Sequence, residues 1–197
     1  KDVWKELGLK VRESDIVLDG GNVVKWRDKV IVTERISIDN PQMNEDDLYE
    51  TIKRELGVKQ LIIIPELNGE MTGHSDGVIR FIDSDYVLIN DFSKVDKEYS
   101  KSLKYCLLNA GIKYIEVPNE FELAKNTYDA TGDYINFLEM NDFVIIPAYG
   151  SKTDEIALMI YKEIFKRKKV LNIECREITK GGGALNCITW NIKSSRK

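Results

Sequence analysis

One arrangement recurs three times along this chain and limits what it can fold into: two short apolar strands, an amphipathic helix, then another apolar strand. In the first copy, Asn22–Arg27 and Val30–Ile36 read as a hairpin joined at Asp28–Lys29. The stretch "NEDDLYETIKRELG" follows, with Asn44 as N-cap, acids in the first turn, Leu48, Ile52 and Leu56 on one face, and Gly57 as terminator. "KQLIIIP" then suits a buried strand closed by Pro65. The second copy predicts strands Val78–Ile82 and Tyr86–Asn90, a helix over about Val95–Ala110 stopped by Gly111, and a strand Ile112–Val117. The third predicts strands Tyr134–Glu139 and Phe143–Tyr149 meeting at Asn141–Asp142, a helix from Thr153, and a strand Val170–Cys175. Leu185–Ile192 reads as the first strand of a fourth unit.

The second hairpin strands begin near residues 30, 86 and 143, an almost constant period. A helix of this length covers only its own small sheet, so such units have to meet around an axis. The expectation is an α/β fold of β-β-α-β units in a radial arrangement, one domain spanning residues 1–197.

A hydrophobic content of 43% suffices for a packed core. The net charge of −4 comes from mixed charges with no basic stripe, which argues against nucleic acid and favours a neutral or cationic small molecule. Cys106, Cys175 and Cys187 are widely separated and form no CxxC pair, so they read as reduced thiols in a cytoplasmic protein rather than as disulfides or a zinc site. No apolar run approaches the roughly 20 residues of a membrane span. The chain starts at Lys1 rather than Met, which is consistent with a segment removed before it.

The junctions entering each unit carry the chemistry: "LDGGN" (18–22), "MTGHSDG" (71–77), "DATGD" (129–133) and "GGGALNC" (181–187). Each places glycine beside polar groups, and in a radial fold all four would converge on one pocket holding Asp19, His74, Asp76, Asp133 and Cys187. His74 is the only histidine. Being two residues apart, His74 and Asp76 share one side of an extended segment. A cysteine beside an imidazolium is a standard nucleophile, and a carboxylate behind the ring fixes its tautomer.

Taken singly, each residue has an ordinary use. Cys187 suits a small core position, Asp19 a turn before "GGN", and Asp133 the turn of "TGDY". Cys106, Cys175, Trp26 and Trp190 read as packing residues. The set is lifted by its placement at equivalent junctions of a repeat.

The combination "VLDGGNVV", "GEMTGHSDGVIRFI" and "GGGALNCITW", in that order, resembles the agmatine deiminase and bacterial peptidylarginine deiminase family of guanidino-group-modifying enzymes. That resemblance implies the pentein fold, an α/β-propeller of five β-β-α-β units, of which this chain would supply roughly the C-terminal three. It further implies Cys187 as nucleophile, His74 as general acid/base, Asp19 as the acid supporting the histidine, and Asp76 as the carboxylate that binds the guanidinium. Two positions depart from the family pattern: Asn186 stands where His usually precedes the cysteine, and Trp190 where a Gln follows it. The family's N-terminal Trp-x-x-Asp region has no counterpart, so the expectation is a missing N-terminal segment or a second chain that completes the ring.

The implied reaction is deimination of agmatine or an arginine-type guanidine to a ureido product and ammonia through a thiouronium on Cys187, with no metal and no cofactor. The alternatives are amidino transfer on the same fold and a catalytically incomplete guanidine-binding fragment. A papain-type peptidase fits poorly, since Asp19 and His74 precede Cys187 in the chain.

Overall fold

The structure, a computed structural model, describes residues 3–69 and 71–192. Among these residues, nine strands form three separate three-stranded sheets of the same topology. The first unit comprises β1 (Val24–Trp26), β2 (Lys29–Thr33), α1 (Glu45–Leu56) and β3 (Gln60–Ile64). The second comprises β4 (Ile79–Phe81), β5 (Tyr86–Asn90), α2 (Lys97–Asn109) and β6 (Lys113–Val117). The third comprises β7 (Leu138–Glu139), β8 (Phe143–Ala148), α3 (Lys152–Ile164) and β9 (Lys169–Glu174). In each, the first strand pairs antiparallel with the middle one and the middle one parallel with the third. A parallel neighbour cannot be reached by a tight turn, and the helix is the crossover that reaches it.

Side chains start and stop the helices as capping chemistry requires. Asn44 accepts from Asp47 N, Asp96 accepts from Tyr99 N, and Ser151 forms a reciprocal capping box with Asp154. Because the cap is Asp96, α2 begins two residues later than the predicted Val95. Gly57 ends α1 at φ 62°, a conformation natural to glycine.

The sheets interlock along the chain. Ile62 and Ile64 of β3 share a buried cluster with Leu103 and Leu107 of α2, so the second unit's helix covers the first unit's third strand. Likewise Val117 and the partly buried Ile115 of β6 pack with the third unit. By register, Leu171 and Ile173 of β9 hold the equivalent places, and there they are 41% and 51% exposed. Among the described residues, no helix is long and apolar enough to cross a membrane.

Four sequence expectations are corrected. The first hairpin turns at Arg27–Asp28, with Arg27 at φ 49° and Lys29 already in β2. β2 stops at Thr33 rather than Ile36: Glu34 N still donates to Ile64 O, but Glu66 N turns to the Glu34 carboxylate instead of its backbone oxygen, and Arg35–Asp39 is a short helix. Of Tyr134–Glu139 only Leu138–Glu139 is strand: Ile135 N is claimed by the Asp133 carboxylate and Phe137 N by Ile135 O. Leu185–Ile192 is not a strand, since the N–H groups of Leu185, Asn186 and Cys187 are held by Asn136 rather than by a neighbouring strand.

Candidate active site

Side chains at or near the middle strands draw the four junctions to one end of the molecule. At the close of β2, Thr33 N donates to Asn22 Oδ1 (2.8 Å) and Thr33 Oγ1 donates to Gly73 O, which ties the first junction to the second. At the close of β5, Asn90 Nδ2 donates to Gly77 O (2.9 Å) and Asp133 Oδ1 (3.0 Å), tying the second to the third. Asn136, just past the third junction, holds the fourth. The result is a cavity of about 370 Å³ lined among others by His74, Asp76, Asp133, Asn136, Gly183 and Cys187.

Asp19 is outside this lining and reaches it through the histidine: its Oδ2 lies 3.3 Å from His74 Nε2. It precedes the short helical turn Gly20–Asn22 without capping it, which leaves the carboxylate for the imidazole. The glycines after it make the seat. A Cβ on Gly21 would overlap the His74 ring, and Gly21 O accepts from Asp76 N (3.0 Å).

Asp76 is 5% exposed, and its Oδ2 accepts from Asn186 Nδ2 at 2.7 Å and faces Cys187 Sγ at 3.7 Å. Burial pushes its carboxyl above the ordinary range, against the pull of Asn186, His74 and Arg80. Arg80 is a half-buried cation that pulls on it, with Nη1 on Phe137 O (3.1 Å) and its guanidinium 4.6 Å from the Phe137 ring centre.

Asp133 is fully enclosed and pushed up to about 7, chiefly by burial and further by the Asp76 charge. With Oδ1 accepting from Asn90 and Ile135 N, it acts as the fastening of the third junction, the turn role that the sequence suggested.

Cys187 is exposed, while Cys175 is buried and Cys106 half-buried. Its thiol is pushed up to about 11 by burial of the sulfur and by the Asp76 charge, with the Asn136 side chain pulling the other way. This corrects the expectation of a thiolate held by imidazolium: the sulfur's charged neighbour is Asp76, and no hydrogen bond joins it to His74. In this state the thiol is therefore protonated at neutral pH.

The role of the three glycines is also refined. A Cβ on Gly183 would lie 2.6 Å from Cys187 Cβ and 2.8 Å from Sγ, so this glycine makes room for the cysteine itself. Gly182, at φ 96°, takes the bend. Gly183→Ala is expected to lower stability by about 1–3 kcal/mol, the ordinary cost of overpacking, and to displace the thiol. Gly181→Ala, whose Cβ would meet only Ile178 O at 3.3 Å, should cost less; urea melts of the two variants, with Cys187 alkylation rates, check the contrast.

Two residues around the Asp76–Cys187 pair are missing from the sequence-based candidates. Asn186, a departure from the family pattern, holds Asp76. Asn136 was not singled out; its signal is a carboxamide between Ile135 and Phe137 in a buried run, where a polar group needs partners.

With the geometry in hand, the comparisons with known proteins are specific. An agmatine deiminase of Stutzerimonas stutzeri is 26% identical over 213 residues, 91% of this chain and 58% of its own length. The solved agmatine deiminase of Enterococcus faecalis superposes with a TM-score of 0.79 at 24% identity, covering 94% of this chain and 60% of that one. The Campylobacter jejuni enzyme gives 0.78 at 22%, covering 94% and 58%. This chain spans 57–60% of the length of the curated relatives it matches. These likenesses, with weaker ones to an amidinotransferase and a dimethylarginine dimethylaminohydrolase, give the fold as an α/β pentein. The model of the Porphyromonas-type peptidyl-arginine deiminases matches residues 1–192, and the chain belongs to that family.

Proposed function

We propose that this chain carries the nucleophile and the guanidinium-binding carboxylate of a hydrolase that deiminates a cationic guanidine, agmatine in preference to arginine. The observation that carries this reading is the buried Asp76 carboxylate 3.7 Å from Cys187 Sγ in a cavity that His74 also lines. An acid that binds a planar cation beside a sulfur places the guanidinium carbon next to the nucleophile. Agmatine is favoured because the lining, among the described residues, holds Asp76, Asp129 and Asp133 but no Lys or Arg to receive a substrate carboxylate.

In the proposed sequence, the guanidinium displaces Asn186 from Asp76 and neutralises the charge that opposes thiol ionisation. The Cys187 thiol passes its proton through water to His74, the thiolate adds to the central carbon, and the C=N electron pair moves onto nitrogen. His74 protonates one amino group, ammonia leaves, and a thiouronium remains on sulfur. His74, oriented by Asp19, then takes a proton from water as the water oxygen bonds to the same carbon. Collapse expels the thiolate, which takes back a proton from His74, while the hydroxyl proton passes to solvent as the C=O forms and the ureido product leaves. Amidino transfer differs in both steps: the donor's alkylamine leaves in place of ammonia, and an acceptor amine then takes the place of water.

We further propose that the three units are consecutive sectors of a five-unit ring, the other sectors coming from a further segment or a second chain. The exposed Leu171 and Ile173 support this, because their equivalents in the first two units are covered by the unit that follows.

The test is ammonia and ureido product formed from agmatine, free arginine and an arginine peptide, with acid-quenched mass spectrometry of the Cys187 peptide during turnover. The expected result is the highest kcat/KM for agmatine and an adduct on Cys187 with the mass of agmatine less ammonia. Turnover with an adduct on another residue, or none, would refute the mechanism; binding without product would assign the chain as a guanidine-binding unit.

A further inference from the structure

We infer that Asn136 is a catalytic residue: one carboxamide both assembles the loop that carries Cys187 and supplies the hydrogen bond that stabilises its sulfur as thiolate. Asn136 Oδ1 accepts from three backbone N–H groups of that loop, Ala184 (3.1 Å), Asn186 (3.0 Å) and Cys187 (3.2 Å). Its main-chain oxygen accepts from Leu185 N (3.1 Å) and shares Asn186 N (3.2 Å). Successive N–H groups converging on one acceptor make a nest, here closed around an amide oxygen.

The same side chain reaches the reacting atom, since Asn136 Nδ2 lies 3.1 Å from Cys187 Sγ. Which end of a carboxamide faces the sulfur is set by its partners. Three N–H donors fix the oxygen on the loop side, so the NH₂ must face sulfur. Asn136 is 2% exposed and sits among Tyr134, Ile135 and Phe137, so the amide has no second orientation that keeps its partners. Among the described residues, the side chains that meet Sγ are then a carboxylate, Asp76, and this N–H donor, with the Ala184 backbone N–H adding a weaker pull. A donor to sulfur strengthens as negative charge develops there, which is the differential stabilisation that catalysis needs.

The inference rests on Cys187 being the nucleophile, but its test does not rest on guanidine chemistry. Asn136→Asp keeps an oxygen for the three N–H groups and replaces the donor to sulfur with a like charge. Alkylation of the Cys187 peptide by a neutral haloacetamide, followed by mass spectrometry against pH, should show the midpoint raised by at least about one unit. That is about a tenfold slower reaction below the midpoint. An unchanged alkylation profile would overturn the inference even if deimination were lost. A raised midpoint in a protein without deiminase activity would keep the inference about the thiol and sink the proposed function instead. If the variant fails to fold, the parent protein still decides. The Asn136 side-chain NH₂ resonances should shift at the Cys187 midpoint, and resonances that ignore that titration would refute the contact.

Discussion

Cys187→Ala should reduce guanidine hydrolysis to background, a loss of roughly 10⁴-fold or more in kcat, as removal of a covalent nucleophile does elsewhere. The variant should still fold, because the cysteine is exposed and its side chain supports no core cluster. It should also still bind, since Asp76 keeps its carboxylate and loses only a sulfur neighbour. Calorimetric affinity for agmatine close to that of the parent, with no product and no adduct, is the expected pattern. Product at an undiminished rate would remove Cys187 from the mechanism. The other thiols are the controls. Cys106 and Cys175 pack in separate parts of the core, and burial raises both. Cys106→Ala should leave kcat unchanged in the same assay.

The repeat was legible because it is written in two periodicities with clear stops. Alternation marked the hairpins, spacing of three and four residues marked the helices, and Asn44, Gly57, Pro65 and Gly111 set boundaries by local chemistry alone. The errors came where a long-range side chain overrules the backbone's local preference. Leu185–Ile192 has the alternation of a strand, but a strand needs a neighbour, and its first N–H groups are taken by the main-chain and side-chain oxygens of Asn136, about fifty residues away. Tyr134–Phe137 fails for a related reason, with the Asp133 carboxylate taking Ile135 N.

The site divides in the same way. Asp19, His74, Asp76 and Cys187 stand out in the sequence because ionisable groups sit beside glycines at equivalent junctions, and the structure brings them to one end of the molecule. The ionisation of the thiol was beyond reach, because it depends on which charge faces the sulfur. Spacing along the chain does not tell that Asp76 and Asn136 are its neighbours rather than His74.

Asp76→Asn should move two measurements in opposite directions. Turnover depends on the carboxylate as guanidinium partner, and losing its charge-assisted hydrogen bonds is worth about 3 kcal/mol. By the rate equivalence of free energy this is roughly a hundredfold in kcat/KM, or more. The thiol, however, should become more acidic. Asp76 is a negative charge 3.7 Å from Sγ that opposes formation of a second negative charge. Without it, the midpoint of Cys187 alkylation should fall from about 11, and the reaction at pH 8 to 9 should speed up. Asparagine keeps an oxygen for Asn186 Nδ2, so the loop should hold its shape. The acid side of the pH profile supplies a third reading. Burial raises the Asp76 carboxyl, so binding of the cation should weaken as pH falls through that raised value, and this limb should vanish in the variant. A variant that is slower in both turnover and alkylation would mean that the loop had been disturbed. Faster alkylation joined to a collapse in turnover would separate the two roles of this carboxylate, that of holding the substrate and that of keeping the thiol protonated until the substrate arrives.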